Sequence, residues 1–170
     1  GATDHEATYL QQQGLKSWLA EQLQASAQPR EPEVQKRIDA LSITQKPMGQ
    51  IQREVADLRQ LIRNEKDPDE AARLRQQVQR QLNLLSTEAQ QRHIWRALYS
   101  PHQLQEQMTW FWMNHFNVST RKGDVRLWVG DYEEQAIRPH ALGNFRDLLV
   151  ASMRHPAMLL YLDNASNAAG

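Results

Sequence analysis

The side chains best suited to chemistry are His115, Arg138, His140, His155 and Asp163, each set among apolar neighbours in the second half of the chain. Leu104, Met108, Phe111 and His115 follow one another at steps of four, three and four, which puts them on one helix face that reads as buried. A histidine there can be a metal ligand or a general base. It can equally be a core residue whose two nitrogens find structural partners. Arg138 follows Glu134 by four residues, the spacing of a helical ion pair; at a helix junction a guanidinium can instead grip a carboxylate or phosphate through paired bonds. His140 falls in the first turn of a helix opened by Pro139, where the dipole favours the neutral ring. Such a ring binds a metal or donates one structural hydrogen bond. His155 lies between two helices and can cap the second or meet the last carbonyls of the first. Asp163 and Asn164 close the last apolar run, Asp163 as a ligand type and Asn164 as a left-handed helix end.

These residues make two candidate sets. His115, Arg138 and His140 are the types that serve acid–base or anion-holding roles. His115, His140, His155 and Asp163 are the types that hold a metal. Their spacing selects neither set. The zinc-protease helix, the phosphate loop, the dinucleotide fingerprint and the nucleophile elbow are all missing, so no cofactor is named by the sequence.

Composition narrows the class. The chain has 170 residues, enough for one domain with a buried core. Its 20 basic and 20 acidic side chains balance, which argues against charge-driven binding to nucleic acid. There is no cysteine, so disulfides, thiol nucleophiles and cysteine zinc sites are excluded within it. No apolar run approaches the roughly 20 residues of a membrane span. Gly1-Ala2-Thr3 begins no basic-then-apolar leader.

The elements that must position the candidates are helices, since Gly and Pro number only seven each. Thr3 or Asp4 can cap a first helix, with Glu6 completing a capping box; Gly14 would end it. Leu15, Trp18, Leu19 and Leu23 mark a second. Pro29 and Pro32 break the chain, and Val34, Ile38 and Leu41 mark a short third helix. Pro47 opens a fourth, where Met48, Ile51, Val55, Leu58 and Ile62 form a narrow seam. After a turn at 64–69, with Asp67 as cap and Pro68 at N1, Leu74, Val78, Leu82 and Leu85 line a long helix that bends near Ser86. Two such helices joined by a short turn should pair antiparallel.

Beyond residue 91 the aromatic residues crowd together, from Trp95 to Tyr161. The expected fold is therefore mainly α: an irregular helical bundle with a protruding antiparallel hairpin and at most one short β segment, over Val125–Val129. Its parts are opening helices at 1–42, a hairpin arm at 43–90 and an aromatic-rich helical body at 91–165. In that body Ser100 and Pro101 start a helix to about Asn117, Asp131 caps one to Ile137, Pro139 opens one to Met153, and Pro156 opens the last.

Several blocks then resemble a known bacterial family, the domain of unknown function 1800. They are Gln103-Leu104-Gln105-Glu106-Gln107-Met108, Phe111-Trp112-Met113-Asn114-His115-Phe116, Tyr132-Glu133 with Ala136-Ile137-Arg138-Pro139-His140-Ala141-Leu142-Gly143, Phe145-Arg146-Asp147-Leu148-Leu149, and His155-Pro156-Ala157-Met158-Leu159 with Tyr161-Leu162-Asp163-Asn164. Their order and spacing carry the resemblance over about 95–165; residues 1–24 match less closely. The resemblance implies a bacterial protein several times longer, commonly exported or periplasmic, whose sequence continues past Asn164 into a helix bearing glutamates and a histidine. It implies no established activity.

Three readings of function stay open at this point. The chain is the N-terminal helical part of a larger protein with no activity of its own. It is part of a metal-dependent enzyme whose site the missing region completes. Or it is a helical interaction module, with a protein partner through the 47–90 hairpin or the remainder of its parent chain. Convergence of the named polar groups on one open pocket would favour the enzyme, and their dispersal into capping bonds the module.

Overall fold

The computed structural model describes residues 4–23 and 32–164; among them every regular element is helical. The helices are α1 (Asp4–Leu23), α2 (Pro32–Asp39), α3 (Ser42–Gln45), α4 (Met48–Asn64), α5 (Pro68–Tyr99), α6 (Gln103–His115), α7 (Val125–Asp131), α8 (Phe145–Arg154) and α9 (Pro156–Tyr161). A π-helical segment, Tyr132–Ile137, and a 3₁₀ turn, Arg138–His140, continue directly from α7. No described helix is long and apolar enough to cross a membrane.

Local sequence explains many of the boundaries. Gly14 interrupts α1 with a φ of 79°, a left-handed value open to glycine, so two helices meet there as its position predicts. Asp67 caps α5 by accepting from the Asp69 N–H, with Pro68 at N1. The capping box of Thr3 lies outside the described residues. So does the break at Pro29. Val34, Ile38 and Leu41 are all buried, and α2 packs on α5.

Two apolar clusters hold the fold together. The larger lies in the C-terminal half, where Val118, Val125, Tyr132, Ile137, Leu148 and Met158 are buried. Tyr132 sits at its centre and donates its hydroxyl proton to the Phe116 carbonyl at 2.9 Å. The second cluster is the α4–α5 seam, Ile51 and Val55 against Val78, Leu82 and Leu85. Leu127 of α7 completes that seam. Arg59 of α4 grips Asp124 with two nitrogens, and Arg126 reaches Gln79 and Asn83 at 2.8 and 2.7 Å. The hairpin is thus fastened to the body along α7 rather than standing clear of it.

Four local expectations are corrected. Val125–Val129 is the start of α7, not a strand. Its alternation arises because the segment is wedged between α5 and α9, which buries Val125 and Leu127 on different sides. Asp131 does not cap a new helix; α7 runs through it into the π segment. Pro139 does not open a helix to Met153: the 3₁₀ turn ends at His140, and Asn144 starts α8 by accepting from the Asp147 N–H. Finally, α5 runs to Tyr99 as one helix, and α6 begins only at Gln103, with the Ser100 hydroxyl accepting from the His102 N–H in the link.

The opening helices attach through a glutamine rather than through their apolar residues. Trp18 is only half-buried, and Leu15, Leu19 and Leu23 are exposed. Gln22 is the buried residue of that stretch; it donates to the Pro101 carbonyl and accepts from the Leu104 N–H, pinning α1 to the start of α6.

Candidate functional site

The named polar residues disperse. His155 uses both ring nitrogens structurally: Nδ1 accepts from the Ala157 N–H at 3.2 Å, capping α9, and Nε2 meets Asp131 at 3.0 Å. Asp163 is at the surface, bound to the Lys122 ammonium at 2.6 Å. With a φ of 59° it also takes the left-handed position expected of Asn164. His140 is half-buried at the end of the 3₁₀ turn. His115 stacks on Phe111 and meets Trp112 and Phe116 edge-on. Trp112 links the two neighbourhoods by donating to the Ala141 carbonyl at 3.1 Å. Among the described residues, no three His, Asp or Glu side chains gather closely enough to hold a metal ion.

The helix bearing His115 is rotated relative to the sequence reading. The Leu104–Met108–Phe111–His115 face is not the core face: Leu104 and Met108 are half-buried, Phe111 is 52 % exposed and His115 is exposed beside it. The inward face carries Glu106 and Thr109, both buried, and Trp112, Met113 and Phe116, which pack on the main core. Both faces are apolar, so periodicity alone does not say which one the core takes. What turns Glu106 inward is Arg138.

Arg138 is the hub of a buried charge network. Its Nη1 donates to Glu106 at 2.6 Å, its Nη2 to Glu133 at 2.6 Å and its Nε to Glu134 at 3.2 Å. The Glu134 pair is the one foreseen from the four-residue spacing. Arg96 of α5 holds the other side of Glu134 through two nitrogens, and Arg92 donates to the Gly130 carbonyl at 2.7 Å. Three guanidiniums thus face three carboxylates contributed by α5, α6, the π segment and the 3₁₀ turn. The π segment makes this feasible: its wider turn brings successive side chains closer in angle, so Glu133 and Glu134 converge on one guanidinium. Such turns recur at functional sites.

The network fixes protonation. Burial drives the Glu133 carboxyl up, but the hydrogen bond from His93 and the charge of Arg138 outweigh it and hold it near 2. Glu134 is lowered too, with Arg96 overcoming its burial. Arg138 is raised despite burial, because Glu106, Glu133 and Glu134 surround it. Each of its three nitrogens meets a carboxylate, and the group is only 8 % exposed, so its charge is spent inside the fold.

Gly130 lets the network close. A Cβ there would lie 3.2 Å from the Ala89 Cβ and 3.3 Å from Arg92 Nη2. Gly130→Val should therefore lose about 1–3 kcal/mol in chemical denaturation, the usual cost of overpacking. A loss under about 0.5 kcal/mol, the range of a neutral surface change, would mean α5 and α7 are not held in close register.

One residue that sequence reasoning passed over joins the network to open space. His93 of α5 is half-buried and its Nδ1 lies 3.2 Å from Glu133. The hydrogen bond to Glu133 raises its pKa, against the opposing effect of burial. His93 and Glu133 both line a cleft of about 500 Å³ between α5 and α6, with Trp110, Met113, Val118 and Val129 among its walls. The sequence signal was present: Val78, Leu82, Leu85, Ala89, Arg92 and Arg96 keep one four–three spacing, so the seam of α5 continues into buried arginines, and His93 stands next to the first.

A family model described as "Protein of unknown function (DUF1800)" matches residues 1–170. No curated protein and no solved structure matches the chain.

Proposed function

The chain belongs to the DUF1800 family, whose function is unknown, and from that premise we propose that it is a docking module, the N-terminal helical part of a larger bacterial protein. Its occupant is a further segment of the same polypeptide, laid over the outer face of α6 and the adjoining stripe of α8. The observation that carries this reading is that Phe111 of α6 is exposed although Trp112, Met113 and Phe116 beside it already face the core. Phe145, Leu149 and Met153, one stripe of α8, are exposed as well. Phe145 packs against Trp112 and Phe116 with ring centroids 5.8 and 6.0 Å apart. The two helices thus offer one aromatic surface of the kind that marks an interaction site.

The dispersal of His140, His155 and Asp163 into separate places favours docking over catalysis for this chain. A metal-dependent activity would need ligands beyond the described residues. Docking of a partner helix in the hairpin seam draws less support, because Leu127 and Trp128 already pack into that seam.

The test is Phe111→Asp made in two contexts. In the isolated 170-residue chain the substitution is expected to change stability by no more than about 0.5 kcal/mol, as at other exposed positions. In the longer protein it should cost more than about 2 kcal/mol, because a carboxylate would replace a buried ring. Equal, small effects in both contexts would sink the reading, as would a gene that encodes nothing beyond this chain.

A further inference from the structure

The α5–α6 cleft lies on a different side of α6 from the docking face, and what it could hold is a separate question. Its volume of about 500 Å³ falls in the range of small-molecule sites, which are mostly apolar with a few placed polar groups. The cleft follows that pattern. Ile94, Trp110, Met113 and Val129 supply apolar wall, and Asn117 and His93 supply polar atoms. With Nδ1 committed to Glu133, Nε2 is the ring nitrogen left for a ligand; it has no protein partner among the described residues.

We propose that this cleft binds a small monocarboxylate with an aromatic body, the carboxylate taking the Nε2–H of His93 and the ring lying against Trp110 and Met113. The charge balance selects the class. Arg138 and Arg96 are buried behind Glu133 and Glu134 and spend their charge on them, so His93 is the cation that lines the cleft. One imidazolium matches one carboxylate and leaves a dianionic phosphate uncompensated. Glu133 does not repel the ligand as a free carboxylate would, because Arg138 neutralises it at 2.6 Å. Trp110, 57 % exposed, offers a ring face for stacking.

Affinity should follow the charge of His93. Glu133 of the π segment and Glu106 of α6 raise its pKa, and burial and Arg138 oppose them; Glu134, Arg92 and Arg96 are the other charged members of the same network. The carboxylates favour the protonated ring, with Glu133 foremost. Binding should therefore be tighter at about pH 6 than at about pH 8.

The experiment is a titration of the 170-residue chain with indole-3-acetate and with 3-phenylpropanoate, followed by the Trp110 indole resonance, with the matching amides as uncharged controls. Saturable binding of the acids is expected, at least about tenfold tighter than of the amides. His93→Gln should weaken acid binding by about tenfold or more with unchanged circular dichroism. Trp110→Ser, at an exposed position and titrated by calorimetry because the variant lacks the reporting indole, should weaken acid and amide alike. The proposal is overturned if neither acid saturates the protein, if acid and amide bind equally, or if folded His93→Gln keeps its affinity. Should His93→Gln fail to fold, the acid–amide ratio and its pH dependence decide.

Discussion

Arg138→Met is expected to lower the unfolding free energy by about 3–5 kcal/mol, because it strands buried carboxylates without their cation. Glu106 is 2 % exposed and Glu133 3 %, and each gives an oxygen to this guanidinium at 2.6 Å. Removing the partner leaves charges that water cannot reach, whereas the whole network contributes much less than its gross attraction suggests. The same logic predicts partial recovery when Glu106→Gln and Glu133→Gln are added, since the stranded charges disappear. Arg126→Met, which removes an exposed guanidinium bonded to Gln79 and Asn83, should stay within about 0.5 kcal/mol. Urea unfolding of the four proteins checks this. A loss under about 1 kcal/mol for Arg138→Met would show that the network relaxes around the gap, in conflict with its burial.

Acid should unfold the protein in a defined window. Glu133 has its folded pKa lowered to about 2 from an ordinary 4.5. A depressed carboxyl contributes stability that is fully present above its unfolded value and is lost as pH falls toward the folded one. Between pH 4.5 and 2 this single group withdraws about 3 kcal/mol, and Glu134, also lowered, acts in the same direction. His93 works oppositely. Its pKa is raised, so its contribution is present below its unfolded value of about 6.5 and fades as pH rises through the folded one. Stability should therefore peak between about pH 5 and pH 6.5 and fall steeply on the acid side. Denaturation midpoints measured across pH check both limbs; His93→Gln should flatten the alkaline limb and make the acid limb shallower, because His93 helps hold Glu133 low. A flat profile from pH 5 to pH 3 would contradict the assignment of Glu133 as an ionised partner of Arg138.

Much of the fold is legible in the sequence, where local chemistry decides it. Gly14, Asp67 and Pro156 mark ends because their backbone or side-chain preferences act within a few residues, and the α4–α5 seam follows from spacing alone. The orientation of α6 could not be read, because Trp112, Met113 and Phe116 make as good a buried row as Leu104, Met108 and Phe111. The choice rests on Glu106 reaching Arg138, a contact 32 residues away in sequence. The π segment likewise has no local signature beyond the adjacency of Glu133 and Glu134; it forms where two carboxylates must meet one guanidinium. Of the roles open to them in the sequence, His155 takes that of a cap and Arg138 that of partner to Glu134. His93 is not legible from apolar spacing, because beyond Ala89 the seam of α5 continues in charges, Arg92 and Arg96.

The central claim is that the outer face of α6 is interior in the whole protein. Hydroxyl-radical footprinting tests it most directly, comparing Phe111 and Phe145 in the isolated chain and in the longer polypeptide. Strong labelling of both rings in the isolated chain and protection of both in the longer protein is the predicted result. Equal labelling in the two would mean that this aromatic face stays open to solvent, and the docking account would be wrong.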